Sequence, residues 1–300
     1  MQKTFLQTRR SMLASLVLML ILTLFAFPSY AAELNGDGTT DSPYLIATEA
    51  DLVAFRDKVN GGESGACAKL TADISLTGFW SAIGTQDAPF TGTFDGDNHT
   101  IRNFMTAYYD PLAAFFGHSQ GTIQNFTIDT GNNYLFGGDY SAGVCAVNRG
   151  TIQNCTSKGY IYGYTDRTFV GGIAAVNFGT ISNCSNTAFV GGAGADSCAG
   201  GIAGVSAEGT ITGCTNTGSI SGMDGSRLGS EMCTGGITGL NYKSSVARCT
   251  NTGSVSADSE KGYTGGVTGL NNGIVRSSLN TAAISKVGLT GGIAGYVFTN

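Results

Sequence analysis

Charge, histidine and tryptophan are what this 300-residue sequence has least of. Charged residues make up 12% of it, with two histidines, one tryptophan and four prolines. Neither His99 nor His118 sits in a His-Glu-x-x-His context, which excludes a zinc-protease centre of that type. No Cys-x-x-Cys pair offers a structural zinc site. P-loop and strand-linked Gly-x-Gly-x-x-Gly patterns are missing, so nucleotide binding has no motif to rest on. No catalytic set and no metal site is expected. Long apolar runs are missing beyond residue 32, so no membrane span is expected in the mature chain. Basic residues number 16 against 21 acidic ones. That balance argues against nucleic acid and anionic membranes as partners, because both require a cationic face.

The start of the chain reads as an export signal. Lys3, Arg9 and Arg10 precede a mostly apolar run over residues 12–27, Pro28 breaks it, and Ser29, Tyr30 and Ala31 supply small residues at a cleavage site. The run is short of the roughly 20 residues a membrane span requires, and no cysteine there permits a lipoprotein anchor. Residues 1–32 are expected to be a signal peptide, cleaved near Ala31 or Ala32. Its three basic residues leave with it, so the mature chain has 13 basic against 21 acidic residues, a net charge near −8. A secreted or cell-surface protein follows.

Glycine is abundant, 46 of 300 residues, and 42% of the chain is apolar. A disordered chain would be poor in apolar residues; here they recur on a fixed period. The segments Gly121-Thr-Ile-Gln-Asn-Phe-Thr, Gly150-Thr-Ile-Gln-Asn-Cys-Thr, Gly179-Thr-Ile-Ser-Asn-Cys-Ser and Gly209-Thr-Ile-Thr-Gly-Cys-Thr are copies of one unit. Weaker copies begin at Ser244 and Gly273. The apolar residue of each, Ile123, Ile152, Ile181, Ile211, Val246 and Val275, sets steps of 29, 29, 30, 35 and 29 residues. Each unit closes on Gly-Gly followed by Ile or Val, at residues 171–173, 200–202, 235–237, 265–267 and 291–293.

No unit holds ten residues of helical periodicity, and glycine every few residues opposes a helix. The second copy instead offers three β-prone runs, Thr151-Ile152, Tyr160-Ile161-Tyr162 and residues 170–176, separated by Asn- and Gly-rich corners. Three strands and three corners make one coil of an all-β, parallel β-solenoid. A single coil cannot bury its apolar side; a stack can. Stacking places the repeated isoleucines in an internal column. It also sets Asn186, Asn216, Asn251 and Asn280 at one corner, where amides can hydrogen-bond along the axis.

Eight cysteines follow the signal. Cys155, Cys184, Cys214 and Cys249 share one repeat position, which Phe126 and Ser278 fill in the outer copies. That pattern predicts a reduced packing column. Cys198 and Cys233 share another position, two residues before Gly-Gly, and are the pair expected to bridge if one disulfide forms.

Residues 33–110 do not repeat and are assigned to an N-terminal cap and first coils, with the repeats over 111–300. Thr48 and Asp51 resemble a capping box, Leu52, Phe55 and Val59 follow at helical spacing, and Gly61-Gly62 stops the helix. Residues 69–76 and 91–105 read as strands. Asp41-Ser-Pro-Tyr-Leu-Ile-Ala-Thr, Leu70-Thr-Ala-Asp-Ile-Ser-Leu and Phe90-Thr-Gly-Thr-Phe-Asp-Gly-Asp-Asn-His-Thr-Ile are similar to the leader that precedes GLUG repeats in bacterial surface proteins. Ala114-Phe-Phe-Gly, Gly121-Thr-Ile-Gln-Asn-Phe and the later Gly-Gly-Ile-Ala-Gly resemble the GLUG motif itself. The resemblance covers nearly all of the mature chain and implies a right-handed parallel β-helix of about 29-residue coils behind a short capping helix. It implies no single activity: GLUG repeats accompany many modules, including zinc-dependent proteases whose signature this sequence lacks.

Two features suggest a binding surface. Tyr160 and Tyr162 flank Ile161, so an inward Ile161 turns both tyrosines outward, with Tyr164, Tyr134 and Phe136 nearby. Asp166, Asp196, Asp224 and Asp258 sit in the variable loop before successive Gly-Gly pairs, where solenoid insertions often line a binding edge. Such an edge is also the place for a calcium ion; no other cofactor is expected. The function expected is a non-catalytic, adhesin-like protein that binds extracellular glycan or a host or matrix protein. The alternatives are a polysaccharide lyase or hydrolase built on the β-helix, and a structural spacer of a larger surface protein. The sequence stops at Asn300 on the close of a repeat, so an open last coil is expected to continue into a further segment or dock a partner.

Overall fold

Each coil turns on its Gly-Gly pair, and packing requires both glycines. In the computed structural model, which describes residues 33–223, 231–285 and 287–298, a Cβ on Gly171, Gly200, Gly235 or Gly265 would strike the backbone carbonyl three residues further on. A Cβ on Gly172, Gly201, Gly236 or Gly266 would strike the carbonyl of the equivalent glycine in the next coil and a stacked Asn side chain. The chain therefore folds sharply there. The single strand expected over residues 170–176 is two, Phe169–Gly171 and Ala174–Asn177, with Ile173 buried at the bend between them. Along the solenoid this bend repeats and leaves a concave groove between two strand columns.

Equivalent strands of successive coils pair in parallel and in register. Ile123, Ile152, Ile181, Ile211 and Val246 are mutual partners in sequence order, and all five are fully buried. Val275 continues the column, partly buried. The solenoid is right-handed with about eight coils, more than the six that the repeats alone suggest. The additional rungs come from the leader, where Tyr44–Ile46, Ala68–Leu70 and Thr93–Asp95 pair with one another and then with Thr122–Gln124. Their sequences differ from the repeats, but their burial alternates in the same way.

Two asparagine columns tie the coils together. Asn186 donates to Asn216 at 2.8 Å, Asn216 to Asn251 at 2.7 Å and Asn251 to Asn280 at 2.8 Å. Each amide nitrogen also reaches the carbonyl two residues ahead, so it is satisfied inside the core. Asn148 to Asn177 and Asn241 to Asn271 form a second column at 2.8 and 2.6 Å. One corner takes the left-handed backbone in every repeat, at Asn125, Asn154, Asn183, Gly213, Arg248 and Ser277. Asparagine and glycine tolerate that conformation best.

Directly after that corner lies the cysteine column. The Cys155, Cys184, Cys214 and Cys249 thiols are buried, and each donates to the carbonyl two residues back at 3.3–3.4 Å. Burial, and then the neighbouring Cys155 thiol, push the Cys184 pKa far up, so thiolate chemistry is suppressed. A packing role suits these four.

The helix α1, Glu49–Asn60, starts on the expected box: the Thr48 hydroxyl accepts from the Asp51 N–H, and the Asp51 carboxylate accepts from the Thr48 N–H. It seats Leu52, Phe55 and Val59 on the first coils. Beneath it an aromatic cluster fills the N-terminal end: Phe94 lies 6.0 Å from Phe55, 5.7 Å from Phe115, 5.4 Å from Phe116 and 5.5 Å from Phe126, ring centre to ring centre. The strands expected over 69–76 and 91–105 are each interrupted, at residues 71–73 and 96–99.

Asp73 holds one of these interruptions. Its carboxylate accepts from the Thr100 N–H at 2.9 Å and from Arg102 at 2.9 Å, and it lies 3.2 Å from His99 Nδ1. The Thr100 hydrogen bond and then Arg102 hold its pKa down to about 2. Because the folded value lies below the unfolded one, Asp73 stabilises the fold above its ordinary value near 3.8 and loses that contribution as pH falls toward 2. Asp73→Asn should lower the urea midpoint at pH 6 and leave it unchanged near pH 2; an equal loss at both would refute this role.

Candidate functional site

The outward face of the second strand column is where aromatic side chains gather. Leu135, Ile161 and Val190 are in register and fully buried, so the residues beside them face solvent. Tyr134 pairs with Tyr160 and Phe136 with Tyr162. The ring centres are 4.9 and 5.4 Å apart. Phe189 extends the row at 5.1 Å from Tyr162, and Tyr108 extends it on the other side at 5.6 Å from Phe136. Tyr164 meets the edge of Phe136 at 6.1 Å. The Tyr162 ring lies over Gly191, where a Cβ would come within 2.8 Å of it. Glycine is thus what permits the ring to lie flat.

Seven rings across the coils therefore form one platform. Tyr134, Tyr160, Tyr164 and Tyr108 are 40–68% exposed, while Phe136, Tyr162 and Phe189 lie lower. Burial, and then the neighbouring tyrosines, raise the Tyr162 pKa, so its phenol stays protonated and can donate a hydrogen bond. At one end of the platform a depression of about 270 Å³ lies between Phe79, Tyr108, Tyr134 and Phe136, with the amides of Asn132 and Asn133 on its rim. The sequence showed Tyr160, Tyr162 and Tyr164 as candidates and noted Tyr134 and Phe136. Tyr108, Phe79 and Phe189 were not singled out, because they come from a leader loop and a neighbouring repeat that only the coil register brings alongside.

The described acidic loop residues line one edge of successive coils. Asp166 and Asp196 are exposed in successive coils, with the Asp196 N–H bonded to the Asp166 carbonyl at 3.0 Å, and Arg167 lies 3.6 Å from the Asp196 carboxylate. Asp258 is exposed two coils on, its N–H bonded to Gly222. Asp224 falls outside the described residues, as does the expected signal peptide. Among the described residues no three His, Cys, Asp or Glu side chains come together as a metal ion would require. Cys198 and Cys233 are direct partners on neighbouring parallel strands, both buried thiols. Strands about 4.8 Å apart place such a pair within reach of a disulfide. The Cys198 thiol, then burial, raise the Cys233 pKa.

One pattern escapes the sequence reading. Gly117-His118-Ser119-Gln120-Gly121 has the spacing of a hydrolase nucleophile elbow, which requires a sharp turn from a strand into a helix. Here Ser119 ends an extended strand, Phe116–Ser119, no helix follows, and the residue is 1% exposed, its buried hydroxyl without a hydrogen-bond partner. That serine is not presented as a nucleophile.

Comparison with known proteins agrees with this architecture. A family model described as the GLUG motif matches residues 230–256. Halomucin of Haloquadratum walsbyi is 35% identical over 149 residues, 44% of this chain, and the match spans 2% of that far longer protein. A crystal structure from Bacteroides ovatus, provisionally described as an immunoglobulin A1 protease, superposes with a TM-score of 0.65 over 85% of this chain and 79% of its own; at 22% identity the likeness is one of fold. The chain is a right-handed β-solenoid that carries the GLUG motif.

Proposed function

We propose that this chain is an exported, cell-surface or secreted protein that binds extracellular glycan on its aromatic platform without cleaving it. The platform carries the reading. Sugar rings present flat C–H faces that suit exposed tyrosine and phenylalanine rings, while phenol and amide groups at the rim meet the hydroxyls. The GLUG motif and the likeness to Halomucin support a surface setting. Among the described residues no helix is long and apolar enough to cross a membrane.

A panel of immobilised neutral and acidic polysaccharides tests the proposal. The mature chain should be retained on at least one. Tyr160→Ala and Tyr162→Ala should each weaken retention about two- to tenfold, in line with the roughly 0.5–1.5 kcal/mol of a favourable ring contact. Both substituted side chains face outward, so circular dichroism should stay unchanged. Failure to retain the protein on any glycan, or retention unaffected by both substitutions, would overturn it. New reducing ends or unsaturated products in the same incubations would replace it with the enzyme reading.

A further inference from the structure

A second cavity lies elsewhere, in the groove left by the Gly-Gly bends, and shares no residue with the platform. It measures about 690 Å³, within the range of small-molecule sites. Its floor is the register column His118, Val147, Val176, Val205. One bank is the column Leu112, Tyr140, Phe169. The other follows the floor by two residues, through Arg149, Phe178 and Ala207.

Polarity along this groove is graded. Gln86, His118, Gln120 and Arg149 come from the N-terminal coils, whereas the later coils contribute valine, phenylalanine and alanine. Among the described residues no carboxylate lines the groove, although acids outnumber bases in the chain. Arg149 is the only Lys or Arg among the described residues that line it. The guanidinium lies 4.2 Å over the Phe178 ring, and none of the ion pairs among the described residues involves it. Stacking on the ring holds the guanidinium along the bank and leaves N–H edges able to receive a planar anion on two prongs.

The floor also limits what can lie on it. Its strands are already paired on both sides, so a peptide backbone laid there would find no partners. Sugar hydroxyls would fare no better against three valines. From these constraints we infer that the groove binds a single-chain amphiphile, with its carboxylate on Arg149 and its apolar tail along Val147, Val176 and Val205. From Val147, level with Arg149, three steps along the same register column pass Val176 and Val205 and reach Leu240, just beyond the cavity, and at about 4.8 Å each they give roughly 14 Å. That accommodates an extended chain of ten to twelve carbons at about 1.25 Å per staggered C–C bond.

Titration calorimetry of the mature chain with laurate, dodecanol and dodecyltrimethylammonium tests this. Laurate should bind at least tenfold more tightly than dodecanol, and the cation should not bind detectably. Arg149→Gln, an exposed position, should bring laurate down to the dodecanol level and leave dodecanol itself unchanged. Val176→Phe should weaken both, and the Tyr162→Ala platform variant neither. Absence of laurate binding, laurate binding indifferent to Arg149→Gln, or equal affinity for the cation would overturn the assignment. Binding only to phosphatidylglycerol vesicles would do the same, since it would mark a membrane surface rather than a groove. None of these outcomes depends on whether the platform binds glycan.

Discussion

Replacing Asn216 by alanine should destabilise the solenoid by about 2–6 kcal/mol, because the buried Gly218 carbonyl and Asn251 amide oxygen each lose a donor at about 1–3 kcal/mol apiece. Asn216 is fully buried in mid-column, accepting from Asn186 and donating to both Asn251 and the Gly218 carbonyl. Its side chain also rests where a Cβ on Gly201 would have to go, so the gap opens against backbone that is already in place. Asn280 provides the contrast. It ends the same column, half-buried, with one ladder neighbour, and Asn280→Ala should cost about 1 kcal/mol. Urea unfolding of the two variants checks the difference, read at unchanged slope so that midpoints report stability. Equal losses at the two positions would show that the ladder does not act as a column.

The second large effect is expected at the other end. Phe94→Ala should cost about 3–5 kcal/mol, the range for truncating a buried aromatic. Phe94 is fully buried and touches Phe55 of α1 as well as three phenylalanines of the coils, so its loss loosens the helix from the stack. Hydrogen exchange should therefore show reduced protection across Glu49–Asn60 before it changes in the repeats. Ile181→Val, in the narrow aliphatic column, should cost only about 0.5–1.5 kcal/mol. If Phe94→Ala lowered protection evenly along the chain, the helix and its cluster would not be a separable cap.

Much of this architecture was legible in the sequence because each coil repeats the same few contacts. The isoleucine column, the asparagine ladder, the left-handed corners and the capping box of α1 all follow from residue type at a fixed spacing. The number of coils did not. Tyr44–Ile46, Ala68–Leu70 and Thr93–Asp95 share a burial pattern with the repeats and almost no identity, so only pairing reveals them as rungs. The groove was hidden for a different reason. Residues 170–176 alternate little and carry the composition of one strand; the Gly-Gly pair marks the bend in every unit, but the close approaches that require it, to Ala174 and to Gly201 of the next coil, are visible only in three dimensions. Among the candidate residues, the inward direction of Ile161 correctly turned Tyr160 and Tyr162 outward. The carboxylates Asp166, Asp196 and Asp258 were grouped by repeat position, and the coil register sets Asp166 and Asp196 in neighbouring coils.

The 35-residue step between Ile211 and Val246 leaves both columns undisturbed. Those two residues are direct partners, and so are Asn216 and Asn251, just as their counterparts at 29 or 30 residues are. Four residues separate Ala193 from Cys198, whereas nine separate their direct partners Met223 and Cys233, so the surplus lies between positions whose register is fixed on both sides. A foreign peptide spliced between Met223 and Cys233 should therefore leave every core pairing in place.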